Sequence, residues 1–206
     1  MFVAVFVDGG FVKSKWREAK RAYPTAEEVH TLCGESLMRS PLFAGDTLFR
    51  IFFYDCQPYL GDAFDPRTGT VVNYANTPSA EAQRRFLRDL SIRPHVALRS
   101  GELAYQGVKV PQDKLPMGGE VITLSSSDLI PDFRQKQIDI KMGLDIAWTA
   151  MKSIATKIVL VAGDSDLIPA MKFARKEGLL VYLCPLGHSV KLAMIEHCDN
   201  VLDVTP

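Results

Sequence analysis

Three stretches of the chain are apolar without interruption: Phe2 to Val7 and Ile158 to Val161, rich in β-branched residues, and Leu179 to Cys184. Runs of this kind are too short for helices at an interior position and lack the alternation of a half-exposed strand. They predict strands covered on both faces, as in a parallel sheet. Thr47 to Cys56 is a further strand, rich in aromatics, and Val201 to Val204 reads as an edge strand. Helical periods fall between them. Phe11 to Ala22 follows the first strand, and Glu27 to Arg39 follows a Thr25–Glu28 capping-box pattern. Ser79 to Leu90, Arg134 to Lys152, Leu167 to Lys176 and a segment ending at His197 complete the set. Strand and helix alternate, which predicts a three-layer α/β/α fold around a mainly parallel central sheet of four or five strands.

The stretch from about 57 to 133 interrupts that rhythm. Tyr59 to Pro78 is rich in Gly, Pro, Asp and Asn and predicts a long loop. Its Tyr59, Phe64 and Tyr74, near Arg67, could stack on bases or tether the loop. His95 to Leu103 predicts a strand, with Gly107 to Val110 as its hairpin partner, and Pro111 to Pro131 reads as the least ordered part of an insertion. One domain over 1–206 is expected.

Strand ends carry the chemistry. The first run ends in Asp8-Gly9-Gly10, and the run at 158–161 ends in Gly163-Asp164-Ser165-Asp166, with Pro169 in the first turn of the next helix. Open α/β sheets bind ligands at this carboxyl edge. Ser165 or Asp166 could equally cap the helix. Asp139 is an acid in an otherwise apolar helical segment, costly to bury unless paired or bound to metal. A surface pair with Lys136 is the plainer reading of it. Asp55, at the end of the aromatic strand, reads as a loop anchor. His188 reads as a loop residue.

Composition excludes little. The 206 residues carry 24 Lys+Arg against 24 Asp+Glu, so attraction to nucleic acid must come from local patches. No signal peptide and no membrane-length run is evident, and Cys33, Cys56, Cys184 and Cys198 show no metal-ligand spacing. Reduced thiols and a cytoplasmic protein are expected.

Together, Phe-Val-Asp8-Gly-Gly, Lys136-Gln-Ile-Asp139 and Val-Ala-Gly-Asp164-Ser-Asp166 resemble the NYN domain family, with its PIN-like fold. The segment from Ser189 to Asp199 resembles that family's closing helix. The resemblance implies a metal-dependent ribonuclease acting on RNA, an endoribonuclease using single strands. It implies Asp8, Asp139, Asp164 and Asp166 as catalytic and metal-binding acids. Asp145 falls on a commonly acidic position. All-oxygen ligands point to Mg²⁺ or Mn²⁺ rather than zinc. Lys13, Lys15, Arg84, Arg85, Lys136 and Lys141 are the candidate substrate-binding cations. Related domains often pair, so a homodimer is compatible. Two departures, Phe11 where many members have Asn and Ala162 where many have Ser or Thr, leave open a module that binds RNA or a protein without cutting. A Toprim-like enzyme would want Glu in place of Asp8, and an aspartyl phosphatase a second acid after it.

Overall fold

A computed structural model describes residues 1–115, 118–119 and 121–206, with the backbone alone at 113. The elements in chain order are β1 (Phe2–Asp8), α1 (Gly9–Lys20), α2 (Ala26–Thr31), β2 (Thr47–Cys56), β3 (Asp62–Asp65) and β4 (Thr70–Asn73). There follow α3 (Pro78–Ser91), β5 (Val96–Lys109), β6 (Ile130–Lys136), α4 (Ile138–Met151) and β7 (Lys157–Val161). The chain ends with α5 (Ile168–Lys176), β8 (Leu180–Leu183), α6 (Leu192–Glu196) and β9 (Asn200–Val201). They group into two compact units: Met1–Asp55, Phe86–Gly101 and Gln137–Pro206 form the first, and Cys56–Arg85 with Glu102–Lys136 the second.

The first unit holds the parallel sheet. β2, β1, β7, β8 and β9 run side by side in that order, all parallel. Val3 to Val7 and Ile158 to Val161 are fully buried, as continuous apolar runs require. Successive side chains leave opposite faces of a strand. Val3, Val5, Val7, Val159 and Val161 share a core with Val12 and Trp16 of α1 and Val29 of α2. On other helices Met142 and Ile146 of α4 and Met171 of α5 are fully buried, and α4 packs on both β1 and α5. Helices flank the sheet, as the alternating pattern predicts. The Thr25–Glu28 capping box is formed in full at the start of α2. No disulfide joins the four cysteines, and Cys33, Cys56 and Cys184 are buried.

The second unit corrects several expectations. The presumed loop at 59–78 contains a hairpin, Asp62 opposite Asn73 and Asp65 opposite Thr70. Bidentate Arg67 and the amide of Arg67 fasten Asp65 at its turn. Tyr59, Tyr74, Tyr105 and Phe133 form a ring cluster with centroids 4.9 to 6.3 Å apart, so Tyr59 and Tyr74 tether the segment. β5 is one long strand rather than a hairpin. Its far half pairs antiparallel with β6, Glu102 opposite Lys136, and its register shifts between Tyr105 and Val108, at Gly107.

The helix expected from Arg134 begins only at Ile138. Residues 134–136 belong to β6, and Gln137 sits at φ 71°, a left-handed break between strand and helix. Lys136 is therefore not a helical neighbour of Asp139. Asp139 instead occupies the first turn of α4, where the helix dipole favours an acid.

Candidate functional site

The carboxyl edge of the parallel sheet gathers acids by local rules. Asp8 ends β1 with extended backbone, and its Oδ1 accepts the N–H of Phe11 at 3.0 Å, capping α1. Gly9 is required beside it, because a Cβ there would lie 2.7 Å from the Phe53 ring and 2.8 Å from the Tyr54 carbonyl. Asp164 follows β7 in the same way. Its Oδ1 accepts the N–H of Asp166 at 2.9 Å and caps the single 3-10 turn Ser165–Leu167 that leads into α5, while neither Ser165 nor Asp166 caps α5 itself. Capping engages one oxygen of each carboxylate.

Electrostatics link these acids to α4. Burial pushes the Asp8 carboxyl above its ordinary value, and the charges of Asp139 and then Asp55 push it further, against the amides of Phe11 and Gly10. Asp139 is also held above its ordinary value, by partial burial of its carboxyl and then by Asp164 and Asp166. So Asp8, Asp139, Asp164 and Asp166, from β1, α4 and the turn after β7, share one electrostatic neighbourhood. Asp164 and Asp166 are exposed. Among the described residues, no three His, Cys, Asp or Glu side chains close on one point tightly enough to hold an ion. The donor set suits a hard cation that keeps much of its water and takes one or two carboxylates at a time, which is the habit of Mg²⁺. It does not form a closed cage.

Two further acids of this unit, Asp55 and Asp145, have partners of their own. Asp55, 3% exposed, meets Lys13 Nζ at 2.6 Å and so ties helix α1 to the end of β2, where a loop anchor was expected. Lys13 is thereby committed to Asp55 instead of standing ready for a substrate. Asp145 Oδ2 accepts from Tyr54 Oη at 2.7 Å and from Arg99 Nε at 2.8 Å. Burial, then that carboxylate, keeps the Tyr54 phenol protonated. Asp145 is a structural partner of Tyr54 and Arg99.

A cleft carries both caps on its wall, with Phe11, Lys15, His188 and Lys191. The Phe11 ring lies on Gly163, where an added Cβ would be 2.7 Å from it, and meets His188 edge-on at 6.3 Å. Lys191 Nζ donates to Ser165 Oγ at 2.9 Å. His188 and Lys191 had no local sequence signal; only the closing turn brings them here. Lys15 lines the cleft while paired to Glu18 at 2.8 Å. Lys141 donates to the Ser100 carbonyl at 2.7 Å. Arg84, Arg85 and Lys136 belong to the second unit, Arg84 bonded to the Ala75 carbonyl and Arg85 3.6 Å from Glu81.

A flanked parallel sheet with acids at its carboxyl edge defines the PIN-like class of α/β domains. The NYN domain model matches residues 70–205, well over half of the chain, and the chain belongs to that family. The match contains Asp139, Asp164 and Asp166; Asp8 lies outside it and joins them through β1. The crystal structure of a protein of unknown function from Vibrio parahaemolyticus RIMD 2210633 has the same fold, with a TM-score of 0.52 and 15% identity over 98% of this chain and 91% of the other. No curated protein matches by sequence. The family is nuclease-related and typically uses divalent metals. No helix among the described residues is long and apolar enough to cross a membrane.

Proposed function

We propose that the chain is a divalent-metal-dependent endoribonuclease, one NYN domain with 56–85 and 102–136 as insertions. The carrying observation is that Asp8 and Asp139, from distant segments, are both held above their ordinary values, by burial first and then by neighbouring acids, Asp139 beside Asp8 and Asp164 with Asp166 beside Asp139. Carboxylates left in mutual repulsion, without a cation among them, are a standing demand for positive charge. Asp8, Asp139, Asp164 and Asp166 would hold Mg²⁺ or Mn²⁺. Such an ion, when bound, acidifies water and offsets charge on a reacting phosphate. The chain's own part is positional. Capping bonds fix Asp8 and Asp164 at the mouth of the cleft, and Lys191 brings positive charge to the same wall. Asp139 and Asp166 would hold water or complete the shell.

The test is cleavage of labelled single-stranded RNA with Mn²⁺ by the wild type and Asp139→Asn. Cleavage by the wild type, lost in the variant and with chelator, is expected. Equal cleavage by both proteins would end the proposal. One observation favours a second reading, a module that binds RNA without cutting: the absence of a ready three-acid group among the described residues. Calorimetry separates the two, since that module predicts RNA affinity without heat on Mn²⁺ addition.

A further inference from the structure

The acids explain where a strand would be cut, not how it is held. A second groove begins where the first cleft ends. Ser14 lies on the wall of both, and the second groove continues along α1 past Arg17 and Glu18 to Arg21. From Asp8 at one end of α1 to Arg21 at the other is about 18 Å of helix, room for roughly five nucleotides stacked at about 3.4 Å.

The groups along this path are unusual in being left available. Among the described residues, Arg17, Arg21 and Lys191 take part in no ion pair, although Glu18 stands among them. Arg17 instead lies over the ring of Tyr23, 5.7 Å from its centroid, and donates to its hydroxyl at 3.3 Å. Tyr23 is 64% exposed, an aromatic face propped open on a guanidinium. Guanidiniums that follow a groove, with an exposed ring beside them, are the equipment of single-strand binding: cations for phosphates and a flat face for a base. The first cleft supplies Lys191 in the same way.

We infer that single-stranded RNA runs from the acid cluster along α1, its phosphates passing Lys191, Arg17 and Arg21 and one base stacking on Tyr23. The inference takes its ligand from the ribonuclease reading, but it concerns binding and is separable from cleavage. Glu18 gives it an unusual signature. Its carboxyl is held below its ordinary value by Lys15, so it stays charged in the path and opposes each phosphate. It also occupies Lys15. Removing this acid should therefore tighten binding.

The measurement is fluorescence anisotropy of a labelled ten-nucleotide oligouridylate in chelator, across a salt series. Arg17→Gln with Arg21→Gln should weaken binding about tenfold and lower the salt slope by roughly 1.4, near 0.7 per lost phosphate contact. Tyr23→Ala should weaken it about five- to tenfold. Glu18→Gln should strengthen it roughly threefold, and Lys176→Gln on α5 should change nothing. Asp139→Asn separates the two ideas, because loss of cleavage with binding retained leaves the track intact. Unchanged affinity and slope in the double arginine variant overturn the track even where cleavage persists. So does poly-glutamate competing as well as RNA while Tyr23→Ala has no effect, the result an acidic protein partner would give.

Discussion

The two units handle a partly enclosed carboxylate in opposite ways. In the second, Asp65 and Asp132 are buried, and each has cations of its own. Arg67 grips Asp65 through two bonds, and Lys109 and Arg134 reach Asp132 at 2.6 and 3.2 Å. Both carboxyls are held below their ordinary value, by those hydrogen bonds first. In the first unit Asp8 and Asp139 are raised, by burial first, and the side-chain charges that add to the rise are other acids. Asp55 and Asp145, in that same unit, follow the matched pattern with Lys13 and with Arg99 and Tyr54. The chain thus matches a carboxylate wherever its work is structural. It gives no cation of its own to Asp8 or Asp139, the acids that the proposed function reads as waiting for a ligand's charge.

The largest expected effect tests that division directly. Asp8→Asn or Asp139→Asn should lower the single-turnover rate of RNA cleavage in Mn²⁺ by about 10²–10³-fold, the scale for losing an electrostatic group at a reacting centre. Asp132→Asn should leave the rate within about twofold, because it alters a structural ion pair of the second unit and none of the four acids proposed to hold metal. If Asp132→Asn were as damaging as Asp139→Asn, the distinction between matched and unmatched acids would lose its meaning.

Next in size is the matched acid of the first unit. Asp145→Ala takes an acceptor from both Tyr54 Oη and Arg99 Nε. Stranding partly buried donors costs about 1–3 kcal/mol. Urea titration should show the midpoint falling, while Asp145→Asn, which keeps an acceptor, should fall less. No loss in either variant would contradict a structural role for Asp145.

Gly163→Ala addresses the floor of the cleft. The new methyl would meet Phe11 Cε2 at 2.7 Å, so the ring, which stands edge-on to His188 at 6.3 Å, has to give way. Overpacking of this kind costs about 1–3 kcal/mol. Phe11→Ala in the same chain should remove most of that cost. Additive effects of the two changes would mean the ring does not determine the glycine.

Much of the sheet was legible because a strand covered on both faces leaves an unbroken apolar run. Phe2 to Val7 and Ile158 to Val161 need no other clue, while Thr47 to Cys56, interrupted by Arg50 and Asp55, is marked by its aromatics. The strand ends followed, and with them Asp8 and Asp164. The insertion was harder to read, since its strands are short and its order comes from a four-ring cluster and from Asp65–Arg67, which composition does not reveal. The helix at 134 was misplaced because Arg134 to Lys136 are polar enough for either a helix surface or an edge strand. The break at Gln137 depends on a backbone angle, not on residue type. Broad apolar coverage on α4 resolved into a buried face with Met142 and Ile146 and an exposed one with Leu144 and Trp148. The cations were the least legible: Lys13 looked available until β2 brought Asp55 to it, and Lys191 gave no hint of the cleft.

The smallest expected effect is on stability, and its sign differs between the units. Asp8 is harder to ionise folded than unfolded. Between the ordinary value of 3.8 and its raised one, the native chain keeps a proton that the unfolded chain has lost. Stability from this group therefore falls as pH rises through that interval and stays reduced above it. Asn keeps the oxygen that accepts from Phe11 and has no charge to bury, so Asp8→Asn should melt higher than wild type at pH 7 without metal. The gain should shrink as pH drops through that interval and be gone below about 4. Asp132 runs the other way. Its carboxyl ionises more readily when folded, so its contribution is present above the ordinary value and is lost as pH falls through the lowered one. Asp132→Asn should melt lower at pH 7 and converge on wild type in acid. Melting curves of the three proteins from pH 3 to 8 in chelator supply the check. Saturating Mn²⁺ then sharpens it: binding to the native state should raise the wild-type midpoint and that of Asp132→Asn, and do little for Asp8→Asn. Two variants shifting in the same direction at pH 7 would show that the acids of the two units are not electrostatic opposites.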